Sequence, residues 1–157
     1  MCVSWFRQYG VPASIVRPFH TYGPGMRLDD GRVFADFVAD IVHGRDLVVK
    51  SDGSARRPFC YLSDAVGGFF TVLLKGEPGE AYNVGNDRSE ISIRGLAELL
   101  VSLFPDKGLR VRIEGYQETS VVRVCPDISR IRGLGWNPGT SLEQGFLRTV
   151  WSYCESV

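Results

Sequence analysis

Two segments rich in glycine, proline and charge place the strongest constraint on how this chain folds. Residues 17–25 read Arg-Pro-Phe-His-Thr-Tyr-Gly-Pro-Gly, and residues 52–64 read Asp-Gly-Ser-Ala-Arg-Arg-Pro-Phe-Cys-Tyr-Leu-Ser-Asp. Each combines a short apolar strand with a loop of Gly, Pro and charged residues. Because loops at strand ends are where α/β sheets bind ligands, the two segments predict an α/β fold with a binding site at strand ends.

Charge and hydropathy exclude several classes of function. Lys plus Arg and Asp plus Glu number 18 each, so no global field attracts nucleic acid or an anionic membrane. No apolar run approaches the ~18 to 20 residues of a membrane span, and the first residues lack a signal-peptide pattern. The cysteines are widely spaced with no Cys-x-x-Cys pair, which argues against a metal site and favours a reduced, cytoplasmic protein. We expect one soluble unit over residues 1–157.

Apolar periodicity and turn residues predict alternating helices and strands. The predicted helices cover residues 1–9, 33 to about 44, 64–74, 93–103, 127–134 and 142–153; the predicted strands cover 13–19, 47–49, 59–62, 80–84 and 109–113. Ser63, Ser92 and Ser141 are the predicted N-caps of three of the helices. The alternation implies an α/β layer structure.

The two segments resemble the second half of the nucleotide-sugar epimerases, dehydratases and decarboxylases, extended short-chain dehydrogenases that use a tightly held NAD. Thr-Tyr-Gly-Pro at 21–24, Asp-Gly-Arg-Val at 30–33 and the Gly-Ser-x-x-Arg turn at 53–57 carry the resemblance. The pattern is most similar to that of UDP-glucuronate decarboxylases, although 4-epimerases and 4,6-dehydratases share much of it and the reaction type stays open. It implies the carboxy-terminal part of a Rossmann-like sheet plus a small α/β substrate-binding lobe.

The resemblance implies substrate-binding roles for seven residues: His20, Thr21, Val33, Arg57, Tyr61, Asn83 and Arg123. His20 stands where the family usually has an Asn that bonds the nucleotide-sugar diphosphate, and an imidazole can donate one such hydrogen bond. Arg57 matches the family's phosphate-binding Arg, and a guanidinium binds phosphate oxygens through two parallel hydrogen bonds. Arg123 precedes a Pro-Asp-Ile as a family Arg does, and would clamp a diphosphate with Arg57 if the two charges converge. Lys50 stands where the family has an aromatic beside the nucleotide base.

Simpler structural interpretations compete with some of these roles. Consecutive strand residues point to opposite faces, so Arg56 is predicted to be a surface charge while Arg57 faces the pocket. His20 could be a solvent-facing loop residue, and Asn83 at a strand end could cap a turn. Asp64 is predicted to be the acidic charge of a helix N-terminus rather than a catalytic acid.

The coenzyme motifs of the resembled family are missing from this sequence. There is no Gly-x-x-Gly-x-x-Gly, and Tyr does not stand four residues before Lys50, Lys75 or Lys107. In Tyr-x-x-x-Lys the Lys lowers the pKa of the Tyr, which can then accept the sugar hydroxyl proton while hydride goes to NAD. We therefore expect no catalytic residue here and an NAD site that lies mostly outside this chain.

Two functional hypotheses stay open. In the first, the chain is the part of such an enzyme that binds a UDP- or dTDP-linked sugar, and it pairs as a homodimer or with a separate amino-terminal half. In the second, it is a non-catalytic nucleotide-binding module, or a truncated fragment that needs the amino-terminal half. Because the helix at 1–9 has so little chain ahead of it, we expect the sequence to start inside an element of a larger protein.

Overall fold

The computed structural model describes residues 2–115 and 123–154. Its elements are α1 (Cys2–Tyr9), β1 (Ile15–Pro18), β2 (Thr21–Tyr22), α2 (Val33–Val42), β3 (Leu47–Val49), β4 (Arg56–Pro58), β5 (Cys60–Tyr61), α3 (Leu62–Lys75), β6 (Ala81–Val84), β7 (Glu90–Ser92), α4 (Ile93–Leu103), a 3-10 turn (Pro105–Lys107), β8 (Val111–Ile113), α5 (Ser129–Gly133) and α6 (Leu142–Cys154). The predicted α/β class is confirmed. None of the helices in these ranges combines the length and the apolar character that crossing a bilayer requires.

The strands associate in four pairs. β1 lies parallel to β6, β2 to β5 and β3 to β8, whereas β4 and β7 are antiparallel. In the first pair Ile15 lies opposite Ala81 and Pro18 opposite Val84. Parallel strands need long crossover connections, which the helices between the paired strands supply, as in Rossmann-like folds.

Two apolar clusters form the core. The larger lies between α2, α4 and α6 and includes Phe34, Phe37, Phe59, Leu96 and Phe146; the smaller joins α3, β6 and α5 through Cys60, Val72, Tyr82, Ile131 and Trp136. In α2 the buried residues recur at helical spacing, which explains why this segment forms a helix that packs through one face.

α3 keeps apolar surface on its outer face as well as its inner face. Gly68 and Val72 are buried, while Phe70, Leu73 and Leu74 are 58%, 74% and 78% exposed. Beside it, β1 has a hydrogen-bonded neighbour on the β6 side alone among the strands of the described ranges. A helix that is apolar on both faces is typical of an element buried between layers.

The start of α3 differs from the sequence prediction. The helix begins at Leu62 with Tyr61 as its N-cap residue and no side-chain cap, so the prediction of Ser63 as the cap is wrong. Asp64 does lie in the first turn, as predicted. Its carboxylate accepts hydrogen bonds from the Gly139 and Thr140 amides at 3.2 and 2.9 Å, so it also fixes the loop before α6.

Only Cys60–Tyr61 of the segment predicted as a strand at 59–62 is a strand, β5 beside β2, because Leu62 already belongs to α3. The residues before Phe59 form the separate strand β4, which pairs with β7. β7 itself was not predicted, although Ser92 at its end caps α4 as expected by accepting from the Gly95 amide at 2.9 Å. Ser141 likewise accepts from the Gln144 amide at the start of α6.

Candidate functional site

The centre of the candidate site lies where β1 passes into β2. His20, between the two strands, has a φ of +38°, in the left-handed region where Asn, Asp and His are enriched. The Cys60 amide donates to the His20 carbonyl at 3.2 Å, so the pairing of β5 with β2 holds this turn. The backbone conformation at this turn is therefore one that a His side chain tolerates.

His20 and Thr21 each carry a buried polar atom without a partner. Nδ1 of His20 and Oγ1 of Thr21 make no hydrogen bond to any described atom. Buried polar groups nearly always find partners, so an exception marks a place where a ligand or water completes the structure. The His20 ring packs edge-on against Phe59, with 5.9 Å between the ring centroids.

Two guanidinium groups set the charge around His20. Arg57 extends from β4, while Arg32 precedes α2 and donates from Nη1 to the Thr21 carbonyl at 3.4 Å. Burial of the imidazole, and then the charges of Arg57 and Arg32, lower the pKa of His20 below its usual 6.5. A neutral imidazole beside two cations makes this region attractive to an anion.

The arginines of β4 divide between its two faces. Arg56 forms a parallel bridge with Arg123, and both reach Glu90: Nε and Nη2 of Arg123 lie 2.7 and 2.9 Å from its carboxylate oxygens, and Nε of Arg56 lies 3.5 Å away. Paired residues on neighbouring strands share a face and consecutive residues alternate, so Arg57 belongs to the opposite face. The structure thus brings Arg57 towards His20 but leaves Arg123 on Glu90, and the two predicted clamp residues do not converge.

Val33 and Lys50 meet at one cavity. It has a volume of about 190 Å³ at the start of α2, and its other lining residues are Gly31, Asp36, Val48, Ser51 and Ile93. Nζ of Lys50 donates to a carboxylate oxygen of Asp36 at 3.1 Å. The cavity therefore combines the apolar side chains of Val33, Val48 and Ile93 with polar and charged ones.

Tyr61 and Asn83 lie outside this group. Tyr61 is buried, with its ring edge-on to Tyr22 at 5.7 Å and the guanidinium carbon of Arg148 5.9 Å from its ring centroid. Nδ2 of Asn83 donates to the Asp127 carbonyl at 2.9 Å, so it fastens the segment before α5 to β6.

The sequence analysis gave no binding role to Arg32 or Ser89. The signal available for Arg32 was its place in the Asp-Gly-Arg-Val motif at 30–33. Ser89 accepts from the Phe59 amide at 3.0 Å, and its hydroxyl lies 2.6 Å from the Phe59 carbonyl oxygen, so it holds the junction between β4 and β5. No sequence pattern indicates that contact.

Helices α3 and α4 begin directly after strands β5 and β7, and neither beginning forms a turn that binds a coenzyme phosphate. The carboxylate of Asp64 lies at the start of α3, and Ser92 caps α4. A dinucleotide turn instead needs glycines that leave backbone N–H groups open to the pyrophosphate. The starts of α3 and α4 therefore do not offer the open backbone N–H groups of a coenzyme phosphate turn.

The fold and site together define a Rossmann-like α/β protein with a cationic loop site. Residues 1–85 match the model of the NAD dependent epimerase/dehydratase family, and the chain belongs to that family. The family resemblance predicted from the two segments is thereby confirmed.

The relatives include all three reaction types. UDP-glucuronic acid decarboxylase 6 of Arabidopsis thaliana is 38% identical over 143 residues, which are 90% of this chain and 40% of the relative. The dTDP-D-glucose 4,6-dehydratase of Homo sapiens is 31% identical over 159 residues, 98% of this chain and 45% of the relative. The homologues of this chain are thus nucleotide-sugar decarboxylases and dehydratases of the NAD dependent epimerase/dehydratase family, and a 4-epimerase is among the similar solved structures.

Solved structures of a 4-epimerase and a 4,6-dehydratase are also similar to this chain. UDP-glucose 4-epimerase from Thermotoga maritima, determined with UDP-glucose, has a TM-score of 0.85 at 26% identity, covering 98% of this chain and 49% of that protein. DesIV, a dTDP-glucose 4,6-dehydratase from Streptomyces venezuelae with NAD and TYD bound, has a TM-score of 0.84 at 28% identity, covering 98% and 47%. The chain spans less than half the length of each of these relatives.

Proposed function

We propose that this chain, as a single unit, is the nucleotide-sugar-binding portion of an NAD-dependent epimerase, dehydratase or decarboxylase that acts by transient oxidation at the sugar C4. The observation that carries the proposal is the group of unpartnered buried atoms on His20 and Thr21 beside Arg57 and Arg32. A diphosphate supplies acceptor oxygens for both guanidinium groups and for the donors of His20 and Thr21.

Each predicted residue takes a role that follows from its position. Arg57 binds the diphosphate, and the cavity lined by Val33 and Lys50 receives the base of a UDP- or dTDP-linked sugar. Binding energy from the nucleotide then orients the sugar. Tyr61 acts by packing against the strand that carries Thr21. Arg123 and Asn83 join the site only by exchanging the partners that now hold them, Glu90 and the Asp127 carbonyl.

In the complete enzyme, the hydride carrier and the catalytic base lie in an amino-terminal half, which belongs either to the same polypeptide or to a separate one. A homodimer of this chain is the alternative assembly. The uncovered apolar face of α3 and the open side of β1 support such a partner. A cytoplasmic location belongs to the proposal and is supported by the free thiols of Cys60, Cys125 and Cys154.

A non-catalytic nucleotide-binding module is the second candidate. It is favoured by the lack of Tyr-x-x-x-Lys in the sequence and by the acidic start of α3, which does not fit a coenzyme phosphate. Binding of a nucleotide sugar is common to both candidates, whereas turnover after addition of an NAD-binding half belongs to the first alone.

Calorimetric titration with UDP, UDP-glucuronate and dTDP-glucose tests the shared part. We expect saturable binding that Arg57→Ala weakens roughly ten- to hundredfold, because hydrogen bonds to charged groups contribute about 1.5–3 kcal/mol. Arg56→Ala is the matched control, since its neighbouring guanidinium lies on the other face with Glu90, and it should leave affinity within about twofold. A folded chain that binds none of these ligands, or equal losses in both variants, would contradict the proposal.

A further inference from the structure

We propose that His20 takes up a proton when a nucleotide-sugar diphosphate binds, so that the site holds a neutral imidazole when free and an imidazolium when occupied. The inference rests on the proposed function and concerns how the same site responds to pH.

The first support is the position of the ring. Its Nδ1 is buried without a partner, the ring packs against Phe59, and the His20 carbonyl is held by the Cys60 amide. A neutral imidazole can donate from one nitrogen, whereas an imidazolium donates from both. An anion that reaches this ring therefore gains a second donor if a proton arrives with it.

The second support is the set of charges that face the ring. The positive charges of Arg57 on β4 and of Arg32, which donates to the Thr21 carbonyl beside the ring, both disfavour a third positive charge. Asp30 offsets one of them, because its carboxylate accepts from Nε of Arg32 at 2.6 Å. From β5, Cys60 adds no charge near neutrality, since burial and the charge of Asp64 raise the pKa of its thiol to about 12.

A bound diphosphate reverses this balance. Burial of the ring is the larger cause of its lowered pKa, and it persists, but the two negative charges of the diphosphate outweigh the repulsion from Arg57 and Arg32 and attract a proton to the imidazole. The pKa of His20 then rises on binding, and a proton from solvent is taken up at pH values between the free and bound pKa. By linkage, affinity must increase as the pH falls through that window, by at most roughly tenfold per pH unit for one proton.

The test uses UDP-glucose, whose diphosphate diester does not itself titrate near neutrality. Titration calorimetry in two buffers with different ionisation enthalpies gives the number of protons taken up. Proton NMR follows the ring protons of the two histidines in the chain, with His43, which caps α2 outside the site, as the internal reference. His20→Asn keeps a hydrogen-bond donor and tolerates the left-handed backbone, but it cannot titrate.

We expect the wild-type chain to take up close to one proton at the optimum, with a ligand-dependent shift of the His20 signal and none of the His43 signal. His20→Asn should bind without proton uptake and with an affinity independent of pH between about 6 and 8. Wild-type binding without proton uptake, or unchanged uptake in His20→Asn, would overturn the inference and leave the proposed function standing. Absence of UDP-glucose binding at every pH would overturn the inference for this ligand, and absence of binding by UDP, UDP-glucuronate and dTDP-glucose as well would overturn the proposed function too.

Discussion

Tyr22 stacks on Phe146 with their ring centroids 4.1 Å apart and their planes inclined by 15°. This contact joins β2, which carries Thr21 of the site, to α6. The Tyr22 hydroxyl lies over Gly145, where a Cβ atom would overlap it. The glycine is therefore required by the close approach of the aromatic ring.

Gly145→Ala should lower the free energy of unfolding by about 1–3 kcal/mol, because the added methyl group must displace Tyr22 in a closely packed core. Urea denaturation measures the change. Gly67→Ala in α3 is the control, since its Cβ would meet Trp136 atoms no closer than 3.6 Å. That control should be neutral or stabilising by up to about 1 kcal/mol through helix propensity. Equal effects in the two variants would contradict the packing argument.

Acidification should destabilise the chain through His20. Its folded pKa is lowered by burial, Arg57 and Arg32, so the folded state binds fewer protons than the unfolded state. The free energy of unfolding must then fall as the pH drops below the unfolded value of about 6.5. The urea midpoint of His20→Asn should depend less on pH between about 7.5 and 5.5 than that of the wild-type chain. A wild-type slope in His20→Asn would refute this source of pH dependence.

The thiols of Cys60 and of Cys125 and Cys154 should differ in reactivity. Cys60 is fully buried and its pKa is raised to about 12, whereas the other two are exposed. Because the thiolate is the reactive species, iodoacetamide at about pH 8 should label the exposed pair in the native chain and Cys60 only after denaturation. Peptide mass spectrometry distinguishes the sites. Rapid labelling of Cys60 under native conditions would show that the strand pair β2–β5 opens readily.

Arg132 and Arg130 should contribute unequally to stability. Arg132 donates two hydrogen bonds to the Asp87 carboxylate at 2.8 and 2.7 Å, with side chains 32% and 24% exposed. Arg130 pairs with Glu80 at a more open position, with side chains 63% and 45% exposed. Arg132→Ala should cost about 1–3 kcal/mol and Arg130→Ala less than about 1 kcal/mol, as measured by thermal or urea unfolding. A larger loss of stability in Arg130→Ala than in Arg132→Ala would mean that solvent exposure does not determine how much each ion pair stabilises the chain.

Local signals predicted much of the fold. Apolar spacing placed the α2 helix and the Leu47–Val49 strand, and the Ser92 and Ser141 caps matched short-range hydrogen-bonding rules. The missed strand at Glu90–Ser92 is three residues long and owes its structure to pairing with β4. Such pairing is a tertiary contact that no local pattern reveals.

The same limit applies to the candidate site. The prediction that Arg56 and Arg57 lie on opposite faces needs only the alternation of neighbouring strand residues. Whether Arg123 shares a face with Arg57 depends on the register between distant segments, and that register placed it beside Arg56 instead. Arg32 entered the site through the turn that precedes α2, which the sequence indicated only as a loop.

The outer face of α3 has a thermodynamic consequence. A molecule that covers Leu73 and Leu74 in the native chain finds no such surface once the chain unfolds, so its binding adds to the free energy of unfolding by mass action. The isolated chain should therefore have the lowest melting temperature, and the melting temperature should rise with the concentration of any partner that occupies this face.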